Sequence, residues 1–193
     1  MTHDYRRESK SWLLAVAIAC AYLLTGIGLH AAGALPAEKT LHGRVVKVYD
    51  GDTVTIETTR GDKLRIRLAD IDAPELKQRH GLESRDALKK LLADDAGAVT
   101  VKYRALDKYG RALGTITLDD KTLDDKSTVN DALVRDGHAW AWRERGKPTN
   151  ADAAAYEASA RHDKRGLWAM EQPQAPWDYR AAKRRAQTPS GRR

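Results

Sequence analysis

The sequence predicts an α+β fold: a closed barrel of five short strands, with about three helices interleaved and appended. Three observations point to it. Residues 45–68 contain three runs in which apolar and polar side chains alternate with period two, separated by turn residues. Two more alternating runs lie at 99–104 and 113–118, after a stretch of helical spacing. Beyond residue 128 the signals are those of helices, with caps at their starts and glycines at their ends.

The first strand spans Leu41 to Tyr49, and its second half sets Val46 and Val48 on one face and Val45, Lys47 and Tyr49 on the other. Asp50-Gly51 makes a turn. Val54 and Ile56 then alternate with Thr53, Thr55 and Glu57, and Arg60-Gly61-Asp62 forms a hairpin tip. In the third strand Leu64, Ile66 and Leu68 alternate with Lys63, Arg65 and Arg67, so the two arginines point away from the core face. Pro74 ends this run and keeps Ala73 out of helical geometry. Gly81 to Ala93 reads as a helix with Leu88, Leu91 and Leu92 on its apolar side. Val99, Val101 and Tyr103 mark the fourth strand. Asp107-Lys108-Tyr109-Gly110 is a turn whose glycine is free to take positive φ, and Leu113 to Leu118 is the fifth strand. Asp119 to Lys126 reads as a solvated loop. Ser127 or Thr128 caps a helix ending near Asp136, with Gly137 as its stop, and Val129, Ala132 and Leu133 as its buried side. The alanine-rich stretch Ala151 to Lys164 is the last helix, stopped by Gly166, with Leu167 and Trp168 folding back on the core. Five strands arranged this way fit the OB-fold, which takes its ligands across one barrel face.

The domain organisation follows from composition. Residues 38–172 form the barrel domain, and residues 173–193 are a basic tail expected to be disordered, with six Lys/Arg against one Asp from Trp177 onward. Residues 1–34 carry Arg6, Arg7 and Lys10, then an uncharged run from Trp12 to Leu29, then Ala32-Gly33-Ala34. That pattern is a signal peptide cut after Ala34 or, left uncut, a membrane anchor. Either version predicts export: a periplasmic or secreted protein, or one anchored with its body outside the cytoplasm. The chain of 193 residues has a net charge of +7, which favours polyanionic partners. Its one cysteine, Cys20, lies in the apolar run, which excludes a disulfide framework and a cysteine-based zinc site.

The chemistry concentrates between Asp50 and Arg111. Asp52, Asp72 and Glu75 are candidate metal ligands or bases, and an oxygen-only set suits a hard cation, Ca²⁺ or Mg²⁺. An EF-hand is excluded, because Val54 stands where the third oxygen ligand belongs. Arg67 and Arg111 are candidate phosphate ligands, since a guanidinium grips phosphate bidentately and stays charged. Two arginines and a divalent ion would stabilise the charge that builds on phosphorus oxygens in phosphodiester cleavage, with Glu75 placed to orient or deprotonate water. Each feature alone has a plain alternative: a turn at Asp50-Gly51-Asp52, a solvated strand arginine, a helix cap at Asp72-Ala73-Pro74-Glu75.

Their joint order is specific. Asp50-Gly51-Asp52-Thr53, Arg67 through Asp72-Ala73-Pro74-Glu75, and Asp107-Lys108-Tyr109-Gly110-Arg111 resemble the staphylococcal nuclease (thermonuclease) family. So do Val129-Asn130 with Ala132 to Gly137, Tyr156-Glu157-Ala158, and Gly166-Leu167-Trp168. The resemblance spans residues 40 to 170. It implies an OB barrel with helices and a calcium-dependent hydrolysis of DNA and RNA that leaves 3′-phosphates. It implies that Asp52 and Asp72 bind calcium with the Ala73 carbonyl, that Arg67 and Arg111 bind phosphate, and that Glu75 is the general base. It further implies that Lys108 and Tyr109 lie near the nucleotide's phosphate, and it makes Trp140 and Trp142 candidates for stacking on a base. Ala73 departs from the family, which commonly has threonine there. The expected protein is a monomer acting on DNA or RNA, touching membrane only if the N-terminal segment stays uncut. The alternative is an inactive barrel that binds nucleic acid or protein, possibly tethered to a membrane.

Overall fold

The protein is described by a computed structural model over residues 36–93, 98–118 and 128–187. The N-terminal segment 1–34, the loop at 119–126 and residues 188–193 lie outside the described residues. Five strands close a barrel: β1 (Lys39–Val48), β2 (Thr53–Thr58), β3 (Lys63–Leu68), β5 (Ala98–Leu106) and β6 (Ala112–Leu118), in the order β1-β2-β3-β6-β5. β1 closes the ring because it is long enough to serve two neighbours. Its first half pairs with β5 and its second half with β2. The one parallel pairing is β3 with β6. This is the five-stranded OB arrangement that the strand count predicts.

Period-two alternation fills the barrel as expected. Val54, Ile56, Ile66, Leu68, Val99, Val101 and Ile116 are all buried in one core. Helix α1 (Gly81–Ala93) adds Leu88 and Leu92 to it, and helix α2 (Val129–Arg135) adds Val129, Leu133 and Val134. The first strand departs from the simple alternation. Its register with β2 shifts between Val45 and Lys47, and this bulge turns Val46 out to solvent while Val45 and Val48 pack on the core.

Local chemistry fixes the helix ends. Thr128 caps α2 in a reciprocal box: its hydroxyl accepts from the Asp131 N–H, and the Asp131 carboxylate accepts from the Thr128 N–H, both at 3.1 Å. Asn150 caps α3 (Ala151–His162) by accepting from the Ala153 N–H at 3.0 Å. Gly137 and Gly166 both take positive φ, and the Leu167 N–H donates to the Gly137 carbonyl at 2.8 Å, so the ends of α2 and α3 lock together.

The basic C-terminal stretch corrects the expectation of a disordered tail. Pro176–Gln187 is a helix, α4. Proline occupies its first position, Asp178 its first turn, and Arg184 and Arg185 its last. Its start is anchored in a second core of Trp140, Ala160, Leu167, Trp168 and Ala175, against which Trp177 packs.

Candidate active site

Strand register brings the dispersed charges together. Thr53 is opposite Arg67 across β2 and β3, and the Leu68 N–H donates to the Asp52 carbonyl at 2.8 Å, so Asp52 and Arg67 become neighbours. The parallel pairing of β3 and β6 aligns Ile66 with Ala112 and Arg67 with Leu113, which sets Arg111 beside the end of β3. A two-residue strand β4 (Ile71–Asp72) pairs with β7 (Trp140–Ala141), matching Asp72 to Trp140.

The result is a cleft of about 410 Å³ whose lining includes Asp50, Asp52, Arg67, Ala73, Glu75 and Arg111 together with Tyr109, Trp142, Arg180 and Arg184. Arg111 therefore joins the site from the far side of α1 and β5. Its orientation is fixed by Asp107, whose carboxylate accepts from the Arg111 Nε at 2.8 Å and from the backbone N–H groups of Tyr109 and Arg111. One acid thus shapes the turn and aims the guanidinium.

Arg67 bridges two buried carboxylates. Its Nη1 pairs with Asp52 Oδ1 and its Nη2 donates to Asp72 Oδ1 at 2.7 Å. Burial alone would raise the Asp52 carboxyl. The Arg67 guanidinium, with donation from the Ala73 N–H at 2.9 Å and from the Thr53 hydroxyl, more than offsets this and holds it below the usual range. Asp50 behaves oppositely: burial, then the neighbouring Asp52 charge, push it up to about 6. Burial likewise pushes Asp72 up, against the pull of Arg180 and Arg67. Burial also works against the charge on Arg67, but Asp52 and Asp72 win and keep it cationic.

Asp72 is completely buried, and its two oxygens face Arg67 and Arg180 rather than the cleft. Among the described residues no group of three His, Cys, Asp or Glu side chains is arranged to hold a metal ion. The donor chemistry is still that of a hard cation: Asp52, Asp72, Asp50 and Glu75 offer only oxygens, and none of the lining residues is His or Cys. Two acids as buried as Asp52 and Asp72 require cationic partners, which the guanidinium groups supply here. The oxygen donors suit a hard divalent cation in kind, while in this structure the oxygens of Asp52 and Asp72 are engaged by Arg67, Arg180 and the Ala73 N–H.

The remaining sequence-predicted residues separate. Lys108 lines a second groove that also includes Arg67, Leu68, Ile71, Arg111, Leu113 and Trp142, beside the charged cleft, and Tyr109 lines both. Trp142 lines both grooves. Trp140 corrects the expectation of a stacking residue. It is buried in the second core, edge-on to Trp168 with ring centres 4.4 Å apart and to Trp177 at 5.4 Å. β4–β7 pairing turns Trp140 inward, while Trp142, just past the end of β7, reaches the cleft.

Arg180 is the residue that sequence reasoning missed. Its Nη2 lies 2.6 Å from Asp72 Oδ2 and its Nη1 lies 2.9 Å from Glu75 Oε1. The readable signal was Pro176 followed by Asp178, a helix start just inside the basic stretch. Glu157 was also missed as a determinant of the site. Buried on α3, it accepts from Arg143, Arg161 and the Ala141 N–H, and so clamps β7 behind Asp72.

The family model for staphylococcal nuclease homologues matches residues 65–170. A micrococcal nuclease of Shigella flexneri is 38% identical over 155 residues, covering 79% of this chain and 87% of its own. An uncharacterized endonuclease of Escherichia coli O157:H7 is 41% identical over 143 residues, covering 74% and 87%. The staphylococcal-like nuclease CAN1 of Arabidopsis thaliana is 34% identical over 128 residues, covering 66% of this chain and 36% of its own. The closed barrel, the convergence of Arg67 and Arg111 on one acidic cleft, and these matches agree: the chain belongs to the staphylococcal nuclease family.

Proposed function

We propose that this protein is an exported, calcium-dependent nuclease that hydrolyses phosphodiester bonds of DNA or RNA with little sequence preference. The observation that carries the reading is that two arginines from distant segments, Arg67 and Arg111, line one cleft with Asp52 and Glu75. Guanidinium groups facing a cluster of acids suit a substrate that is itself an anion and becomes more anionic during reaction.

Arg67 and Arg111 bind the non-bridging oxygens of the phosphate, and their charge becomes more favourable as negative charge builds there. Asp107 keeps Arg111 aimed at the phosphate. Glu75, on the loop after Pro74, orients a water and accepts its proton. Asp52 and Asp72, with the Ala73 carbonyl, would hold the calcium ion, which when bound supplies further positive charge to the phosphate. Attack of that water on phosphorus breaks the P–O ester bond, and the leaving ester oxygen takes its proton from solvent. Lys108 extends the positive surface along the backbone, and Tyr109 and Trp142 offer flat faces to unpaired bases, a contact that tolerates any sequence. Export rests on the Arg6-Arg7 start, the uncharged Trp12 to Leu29 run and Ala32-Gly33-Ala34. Among the described residues no helix is long and apolar enough to cross a membrane. We read the protein as acting as a monomer.

Digestion of single-stranded DNA, duplex DNA and RNA with calcium and with a chelator tests the reading. Cutting that needs calcium is the expected result, and no calcium-dependent cutting of any of the three overturns it.

A further inference from the structure

We propose that Arg180 is a positioning residue of this active site, and that helix α4 is an integral part of the catalytic body. The inference rests on the nuclease reading of the same cleft. Three observations carry it.

First, among the described residues Arg180 is the partner of the Glu75 carboxylate. Glu75 sits on a loop, half exposed, and its neighbours Pro74 and Leu76 offer no polar side chain. A carboxylate in that setting samples several rotamers unless something holds it. The Arg180 Nη1 at 2.9 Å holds it, while the same guanidinium grips Asp72 Oδ2 at 2.6 Å and Asp72 Oδ1 at 3.1 Å. One rigid fork thus fixes the distance between the proposed water-handling acid and a proposed metal ligand.

Second, Arg180 is itself fixed. Trp177 and Arg180 are three residues apart, and Arg184 follows four later, so all three share one face of α4. Trp177 packs edge-on to Trp140, and the Arg143 guanidinium lies 5.7 Å from its ring. Ala175 and Pro176 are buried. The face that docks the helix is the face that delivers Arg180 to the cleft.

Third, the Glu75 loop and the segment leading into α4 are tied a second time. The Gln78 side chain donates to the Gln174 carbonyl and accepts from the Glu75 N–H at 3.2 Å. A helix that only covered surface would not need two links to the same loop.

A misplaced base costs rate more than binding, because the geometry of attack is what suffers. Removing Arg180 also withdraws a cation from Asp72 and Glu75, which leaves their oxygens more available to calcium. The expected signature therefore has opposite signs: slower turnover with tighter calcium binding. A role limited to stability would weaken both.

The test compares the full chain with Arg180→Ala and Arg180→Lys. For Arg180→Ala, kcat on DNA at saturating calcium falls about tenfold to a hundredfold, with KM within about threefold. Calorimetric titration with calcium, which needs no turnover, gives a Kd lower by about fivefold or more. Near-ultraviolet circular dichroism of the tryptophan cluster stays unchanged, and Arg180→Lys recovers part of kcat. Unchanged or raised kcat, a rise in KM alone, or calcium binding that is unchanged or weaker overturns the proposal. If the wild-type chain binds calcium but cuts nothing, the nuclease reading fails while the calorimetric comparison still decides on Arg180. If it does neither, both fall.

Discussion

Arg67 Nη2 lies 2.7 Å from Asp72 Oδ1, joining a strand residue directed away from the barrel core to a carboxylate that is wholly buried. The same side chain also reaches Asp52. Arg67 therefore has two tasks: neutralising buried acids and presenting positive charge to the cleft. Arg67→Lys separates them. It keeps the charge and loses the planar fork, so activity falls about a hundredfold or more while the protein still folds. Steady-state kinetics and thermal unfolding of this variant check both halves. Arg67→Ala, by contrast, strands buried acids and costs about 3–5 kcal/mol.

The two tryptophans two residues apart have opposite fates, and their substitutions should differ accordingly. Trp140→Ala empties the second core and destabilises by about 3–5 kcal/mol in urea unfolding. Trp142→Ala removes a face from both grooves. It leaves stability nearly unchanged and raises KM for single-stranded DNA about tenfold, in line with the loss of one stacking contact.

Glu157 accepts hydrogen bonds from two arginines and from the Ala141 N–H at 2.7 Å while almost fully buried. Glu157→Ala leaves the Ala141 N–H unsatisfied and Arg143 without its partner. A loss of about 1–3 kcal/mol in chemical unfolding is expected, because the buried Ala141 N–H loses its acceptor while Arg143 and Arg161 keep access to solvent. β7 backs Asp72, so activity should fall in parallel with the loss of β4–β7 pairing.

The barrel was legible because each strand has one buried face, and period two records that face directly. Leu64 to Leu68 shows it, and the sequence placed Arg67 correctly from it. Val46 was not legible: a bulge adds one residue to one strand, and nothing in Val45-Val46-Lys47 marks where the alternation slips. The acids and arginines of the cleft were legible only as a set, through resemblance, since the parallel register of β3 with β6 that unites Arg67 and Arg111 leaves no local trace. Arg180 was hidden for a different reason. Its stretch is polar and basic, as a loose tail would be, and its order comes from Trp177 meeting Trp140 across the fold. Trp140 and Trp142 share parity, so alternation alone assigns both to one face, and only the two-residue length of β7 parts them.

His80 and His138 stack with ring centres 5.3 Å apart, and their facing nitrogens are 3.1 Å from each other. Burial holds both imidazoles below their ordinary value, and His80 lowers His138 further, while Glu83 and Asp136 pull the other way. The folded state therefore binds fewer protons than the unfolded state once the pH drops below about 6.5. This contribution to stability is complete above that pH and is lost as pH falls through the lowered folded values. Melting temperatures at pH 7.5 and pH 5 should show a smaller drop for His138→Gln than for the wild-type chain. Equal drops would remove the pair from the acid response.

The central claim is that the cleft shared by Arg67 and Arg111 cuts phosphodiester bonds with calcium. The most direct measurement follows a labelled single-stranded DNA with the wild-type chain and with Arg111→Ala, each with calcium and with a chelator. The account predicts cutting by the wild-type chain in calcium alone, and a rate lower by about a hundredfold or more for Arg111→Ala. Cutting that survives the chelator, or an Arg111→Ala variant as fast as the wild-type chain, would contradict it.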